Sequence, residues 1–319
     1  MSVKLRESRN VTSQISKEGN FYFKKILQGQ KSDSIRRFSN LIKWDDFIKE
    51  RSNIYSPKIT NKEEKDLSLE YEWISNSRSL EDYLQDDSSK LESLIIKASK
   101  MLASLHTFEY KNIDLDNEKE LPSKEKLLLF LDKYEYASCT GAELELYSLL
   151  QQDKQLIDIV TTREKNVIDY TLCHGDIRLD QFIYDGDNLW IIDFEELRIG
   201  DPSKDLAGII GSLYFDCLLK TFSKTTQETS NEGEVEQQFI DRGVDYIEKV
   251  IPIIQSSIVT YKKVKEINMK QLSINIGWFI IERVMSRAKF TFRLSATDKA
   301  ILGIGREIIL NPHSLKDIF

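Results

Sequence analysis

Cysteine and histidine are scarce in this chain, three of each among 319 residues. Cys139, Cys173 and Cys217 stand far apart, so neither a disulfide framework nor a zinc site is expected. The longest uninterrupted apolar run, Ile276 to Ile281, is short and contains Gly277, too little to span a bilayer. The opening MSVKLRESRN lacks the apolar core of a secretory signal, and a cytoplasmic location is expected. A basic footprint is missing as well: 45 Lys and Arg face 52 Asp and Glu, a net charge of −7. That excludes nucleic acid as the main partner and favours a neutral or cationic ligand. There is no internal repeat and no glycine-rich turn.

What remains is an ordinary globular composition, 40% hydrophobic and 30% charged, in a chain long enough for one large or two modest domains. The first seventy residues read as strands with one helix. NVTSQI and GNFYFKKIL are β-branched or aromatic runs separated by the turn Lys17-Glu18-Gly19-Asn20. Phe38, Leu41, Ile42 and Trp44 give a helical spacing that Pro57 closes, and LSLEYEW reads as another strand. Beyond residue 75 the pattern turns helical. Ser79 and Asp82 form a capping box, and Leu91, Leu94, Ile95, Ala98, Met101, Leu102, Leu105 and Phe108 make one apolar stripe. A polar stretch at 223–236 reads as a surface loop, with helices expected at 237–264, 268–290 and 296–309.

The stretch LCHGDIRLDQFIYDGDNLWIIDFEELRIGDPSKDLAG, residues 172 to 208, breaks this pattern. It places a β-hairpin, 181 to 193, among helices. A short hairpin is marginal in isolation, which argues that it positions something. Its ends return to one place, so Asp176 and Asp193 converge on one small volume. Asp185 and Asp187 at the DG turn have a local explanation, because acids favour such turns.

His174-Gly175-Asp176 with Gln181, then Ile192-Asp193-Phe194-Glu195, then Gly200-Asp201-Pro202 and Asp205-Leu206-Ala207, resembles the aminoglycoside phosphotransferase and choline kinase-like family. The resemblance implies an α+β fold similar to protein kinases, with a small β-rich N-lobe at 1–73 and a larger, mainly helical C-lobe at 74–319. It implies transfer of the γ-phosphate of ATP or GTP, with Mg2+, to a hydroxyl group. The chemistry suits these residues: phosphoryl transfer asks for positioning, a base and cations more than for covalent help. In this reading Asp176 takes the proton of the attacking hydroxyl, Arg178 reaches the transferring phosphate, and His174 orients the loop by hydrogen bonding. Asp193 and Gln181 hold the metal; Gln181 stands where the family usually has Asn. Asp201 and Asp205 brace the loop and helix, and His106 packs in the core.

The resemblance also assigns the nucleotide site. Asn10 and Thr12 fall where the family places its phosphate-covering turn. Lys24 resembles the strand lysine that contacts the α- and β-phosphates, and strand alternation favours it over Lys25. The backbone of Glu70, Tyr71 and Trp73 would hold the purine. The helix acid that should pair with the lysine has three candidates, Asp45, Asp46 and Glu50. Glu195, Glu196, Asp216 and the acids at 228–236 could line a cleft for a cationic acceptor. Arg283 and Arg287, one turn apart, suit salt bridges better than an anion site. Three functions follow: a kinase of small molecules (sugars, amino alcohols, aminoglycosides), a kinase of Ser or Thr in a peptide, or a pseudokinase that binds a partner. Retention of both Asp176 and Asp193 counts against the last.

Overall fold

The computed structural model describes residues 9–49, 51, 54–111, 113–115, 128, 131, 133–162, 170–222, 232–316 and 318. The chain divides into two compact units, one of residues 1–117 with 170–200 and one of 118–169 with 201–319. The boundary expected at residue 73 falls inside the first unit.

The first unit opens with the hairpin the sequence suggested: β1 (Val11–Lys17) and β2 (Asn20–Ile26) pair antiparallel. Glu18 and Gly19 turn the chain with positive φ, 51° and 81°, the mirror-image turn that fits strand twist. Helix α1 (Lys31–Ile48) follows, then β3 (Ile59–Glu63) and β4 (Ser68–Glu72). The sheet order is β1-β2-β4-β3. The sequence reading missed β3, whose ITNKE is largely exposed and lacks apolar alternation. Ser79 caps as expected: its hydroxyl accepts from the Asp82 amide and the Asp82 carboxylate accepts from the Ser79 amide. After β5 (Arg78–Ser79) run α2 (Leu80–Gln85) and α3 (Leu91–Leu105), the latter burying Leu91, Leu94, Ile95, Ala98 and Leu102 on its apolar stripe. His106, just past α3, is buried.

Two small sheets complete this unit. β6 (Thr171–Cys173) pairs with β9 (Arg198–Gly200), and β7 (Phe182–Tyr184) pairs with β8 (Leu189–Ile191) as the expected hairpin, extended by β5. Asp185 holds the hairpin tip. Its carboxylate accepts from the amides of Asp187 and Asn188 at 2.9 and 2.7 Å and from the Trp190 indole at 2.8 Å, the local role acids take in turns.

The second unit is helical: α4 (Lys133–Ser138), α5 (Gly141–Gln151), α6 (Lys154–Thr162), α7 (Pro202–Phe222), α8 (Glu232–Lys262), α9 (Met269–Ala288) and α10 (Ala296–Leu310). The loop expected to 236 ends sooner, since α8 begins at Glu232; residues 223–231 lie outside the described residues. Thr140 and Ser295 open α5 and α10 with capping boxes. Asp201 stands before α7, accepting from the Ser203 amide at 2.9 Å and from Asn275 Nδ2 at 3.1 Å, so it braces the helix start as expected. Helices α9 and α10 cross at two glycines: a Cβ on Gly277 would lie 2.6 Å from the Gly305 carbonyl oxygen. Arg287 pairs with Asp298 at 2.8 Å, and Asp216 with Lys220 at 2.9 Å. Among the described residues no helix is long and apolar enough to cross a membrane.

Candidate active site

All the side chains proposed for chemistry lie in the first unit. His174 is the hub of the loop between β6 and β7. Its ring is buried against Phe194, centroids 4.5 Å apart. Nδ1 accepts from the Asp176 amide at 3.3 Å, which leaves Nε2 to donate to the Ile192 carbonyl at 2.9 Å. Ile192 in turn donates its amide to the Gln181 carbonyl at 2.9 Å. Both backbone groups of the residue before Asp193 are therefore tied to the loop that carries Asp176. Gln181 itself is buried, at the base of the hairpin.

Asp193 is in the left-handed backbone region, φ 69° and ψ 53°, where a non-glycine residue stores ~1–3 kcal/mol unless its short polar side chain compensates. The conformation ends the β8 strand direction before the short 3-10 turn Phe194–Glu196. Phe194 is held from above by Trp44 of α1, the rings stacked at 3.6 Å and 14°. Asn40 Nδ2, also on α1, donates to the carbonyls of Glu195 and Leu197 at 3.0 and 3.1 Å.

Gly175 has φ +91°, and a Cβ there would sit 2.1 Å from the Glu196 carbonyl oxygen. The backbone of the Asp176 loop thus touches the backbone of the Asp193 loop, which no other residue type permits. Arg178 forks between two acids, NH1 to Asp176 Oδ2 at 2.7 Å and Nε to Asp180 Oδ1 at 3.1 Å. About half of the Asp176 side chain meets solvent. The surrounding protein mass nevertheless pushes its carboxyl above the ordinary pKa; Arg178 pulls the other way, and the charge of Asp193 adds to the rise. The two carboxylates feel one another.

The sequence reading favoured Lys24 of the two neighbouring lysines; the structure turns Lys25 inward and buries it. Lys25, not Lys24, reaches Asp193: its Nζ lies 2.5 Å from Asp193 Oδ1 and 2.7 Å from Glu195 Oε2. Lys24 is on the opposite face of β2, across from Glu70, and Glu70 pairs with Lys17 at 2.5 Å. Strand register decides the face. Phe23 lies opposite Tyr71 and Lys25 opposite Leu69, so Lys25 shares the apolar side of the sheet. Burial pulls the Lys25 ammonium down, but Asp193 and Glu195 outweigh it and its pKa ends above the ordinary value. Burial pushes Glu195 up, while Lys25, Arg37 and Arg9 pull it down to about 2.

The other residues expected at the nucleotide site lie in β1 and β4 or next to them. Thr12 is paired within β1, opposite Lys25, and Asn10 spends its amide on protein: Nδ2 donates to Glu195 Oε2 at 2.9 Å, while Oδ1 accepts from Arg37 and the Gln28 amide. The tight turn of this hairpin is Lys17–Asn20. Glu70 and Tyr71 lie inside the ladder, paired with β2 on one side and β3 on the other. β4 is an inner strand, so only Trp73 lies beyond the pairing. The Tyr71 hydroxyl is buried with no hydrogen-bond partner among the described residues.

Of the three candidates for the helix acid, the two described ones have other partners. Asp45 accepts from the Ile59 amide at 2.9 Å and pairs with Lys49, as does Asp46; Glu50 lies outside the described residues. Glu195 and Glu196, read as acceptor-cleft acids, are instead held by basic groups, Glu196 by Arg36 at 2.8 Å. Arg37 was missed altogether. It is fully buried on α1 and shares the stripe of Leu41, Trp44 and Ile48. An arginine on an apolar stripe is the signal that would have found it, because a buried cation demands buried partners.

A family model described as "Phosphotransferase enzyme family" matches residues 6–233. No curated protein matches the chain. Among solved structures, an amicoumacin kinase in complex with AMP-PNP, Ca2+ and Ami has a TM-score of 0.50 at 12% identity, covering 97% of this chain and 87% of its own. A choline/ethanolamine kinase family protein from Mesorhizobium loti has a TM-score of 0.49 at 11% identity, covering 97% and 91%. The first likeness shows the fold: a kinase-like one, with a small antiparallel sheet and a mostly helical remainder.

Proposed function

The chain belongs to the phosphotransferase enzyme family, and we propose that it moves the γ-phosphate of ATP or GTP to a hydroxyl of a small molecule, a sugar, amino alcohol or aminoglycoside-like compound. One observation carries this reading. Asp176 and Asp193 flank the hairpin and are pinned together through Ile192, and a lysine ammonium sits on Asp193. A base and a cation-holding carboxylate at fixed separation are the parts that phosphoryl transfer requires.

The Asp193 carboxylate already faces a positive group, the Lys25 ammonium, and the same negative oxygens suit a hard divalent cation. Asp193, with the amide oxygen of Gln181, would hold a divalent cation such as Mg2+, whose donors are hard oxygens. When bound, it would neutralise charge on the phosphates. The protein's own groups do the rest. Asp176 orients the acceptor hydroxyl and takes its proton. Arg178, already against the Asp176 carboxylate, fixes that side chain and offers a guanidinium to the transferred phosphate. Lys25 holds the α- and β-phosphates, and the Lys17–Asn20 turn covers them.

Thermal unfolding with Mg2+ and ATP or GTP tests the reading. Stabilisation by ligand linkage is expected and should disappear in Asp193→Ala. Asp176→Asn should keep nucleotide binding and lose transfer by about 100-fold or more. A wild-type protein indifferent to saturating nucleotide would end the proposal. Labelled phosphate offered to sugars, amino alcohols and aminoglycosides then identifies the acceptor.

A further inference from the structure

In the first unit, four basic side chains (Arg9, Lys25, Arg36, Arg37) face four acids (Asp33, Asp193, Glu195, Glu196) across β2, α1 and the turn after β8. The polarity of this cluster is what matters. Helix α1 reaches the Glu195 partner of Lys25 through Arg37, and its own acids are engaged elsewhere: Asp33 with Arg36 and Arg37, Asp45 and Asp46 with Lys49. The helix presents a cation, Arg37, and the acid for Lys25 comes from the turn that follows Asp193.

We infer that Glu195 is the residue that positions Lys25 for nucleotide phosphates, with buried Arg37 and Asn10 holding Glu195 in place. The inference rests on the nucleotide-binding reading above and names the group that makes its lysine effective. Lys25 has two acid partners, Asp193 Oδ1 at 2.5 Å and Glu195 Oε2 at 2.7 Å. A divalent cation on Asp193 competes with the ammonium for one carboxylate, since two positive groups cannot share that oxygen cheaply. Glu195 is the partner that stays.

Glu195 is also built to stay. Oε2 accepts from Asn10 Nδ2 at 2.9 Å and from Arg37 NH1 at 3.4 Å, and Oε1 accepts from Arg9 at 3.2 Å. Its main-chain carbonyl accepts from Asn40. Arg37 is fixed in turn by Asp33 at 2.9 Å, the Asn10 amide oxygen at 2.9 Å and the Gln28 carbonyl. A carboxylate held from three sides has one orientation, and the ammonium it anchors inherits it. Because Glu195 is two residues from Asp193, the lysine and the metal carboxylate are set by one short turn and move as one piece.

Isothermal titration of four full-length proteins tests this: wild type, Glu195→Gln, Lys25→Met and the double variant. Each is titrated with Mg–ATP and, by competition, with adenosine; GTP and guanosine replace them if GTP binds wild type more tightly. Glu195→Gln is expected to weaken Mg–ATP about tenfold, a shift well above the error of such cycles, and to leave adenosine unchanged. In the Lys25→Met background the same substitution should change Mg–ATP affinity less than about twofold, because the group it acts through is gone. Unchanged Mg–ATP affinity in Glu195→Gln overturns the inference and leaves the kinase reading standing. Parallel loss of ATP and adenosine, or an undiminished loss without Lys25, overturns it too. A wild type that binds neither nucleotide removes both readings.

Discussion

Lys25 Nζ lies 2.5 Å from Asp193 Oδ1 although 168 positions separate the two residues. A buried ammonium against a carboxylate costs solvation that only close pairing offsets, so the contact marks where the strand and the hairpin must meet. The neighbouring Lys24, on the opposite sheet face, makes no such contact.

The two lysines therefore separate cleanly by mutation. Lys25→Met is expected to lower phosphoryl transfer by about 100-fold, the scale of losing one charge aimed at the transferring group. Lys24→Met should stay within about twofold, because its side chain is turned to the sheet face away from Asp193. Steady-state turnover with the acceptor found by screening measures both. Equal losses would return Lys24 to the site.

Gly175→Ala should be disproportionately damaging for so small a change. The residue has φ +91°, and the added carbon would lie 2.1 Å from the Glu196 carbonyl oxygen. One loop must move away from the other, at a cost of about 2 kcal/mol or more. Urea unfolding reads the stability. Turnover should fall beyond what lost stability explains, because the displaced loops carry Asp176 and Asp193.

Trp44 holds Phe194, the residue after Asp193, by a ring stack at 3.6 Å. Trp44→Ala empties that space and should cost about 3–5 kcal/mol, the range for large aromatic truncations in cores. Trp44→Phe keeps part of the stack and should cost less. Denaturant midpoints of the two variants give the comparison, and equal midpoints would mean that the stack contributes nothing.

Acid should reveal Glu195. Burial opposes its charge, but Lys25 and Arg37 hold its pKa down to about 2, against about 4.3 in an unfolded chain. A depressed carboxyl stabilises the fold above its unfolded pKa and loses that contribution as pH falls toward its folded one. In metal-free protein, wild type should exceed Glu195→Gln in stability at pH 7, with the gap narrowing from about pH 4.5 downward. Urea midpoints at pH 7, 5 and 4 measure it; a gap that widens in acid contradicts the pairing.

Local patterns were legible where one segment decides its own conformation. The stripe from Leu91 to Leu105, the capping box of Ser79 and Asp82, and the hairpin around Asp185 all formed as their residues indicate. Each depends on neighbours within a few positions, and such interactions are written consecutively. The HGD and IDF segments were legible for the same reason, together with the return of the hairpin ends to one place.

What depends on cross-strand register or on a buried partner was not. β2 carries aromatics on both faces, so its alternation could not say which lysine turns inward; the pairing of Phe23 with Tyr71 and Lys25 with Leu69 decided it. Arg37 drew no reading from the sequence, because the groups that enclose it, Asn10, Gln28, Asp33 and Glu195, come mostly from other segments. The amino-acid order alone thus placed Asp176 and Asp193 at the two ends of one hairpin, because short-range geometry returns those ends to one place. Tertiary packing settled which lysine meets Asp193 and which second acid it touches, because a charge is buried only where distant segments supply its counter-charge.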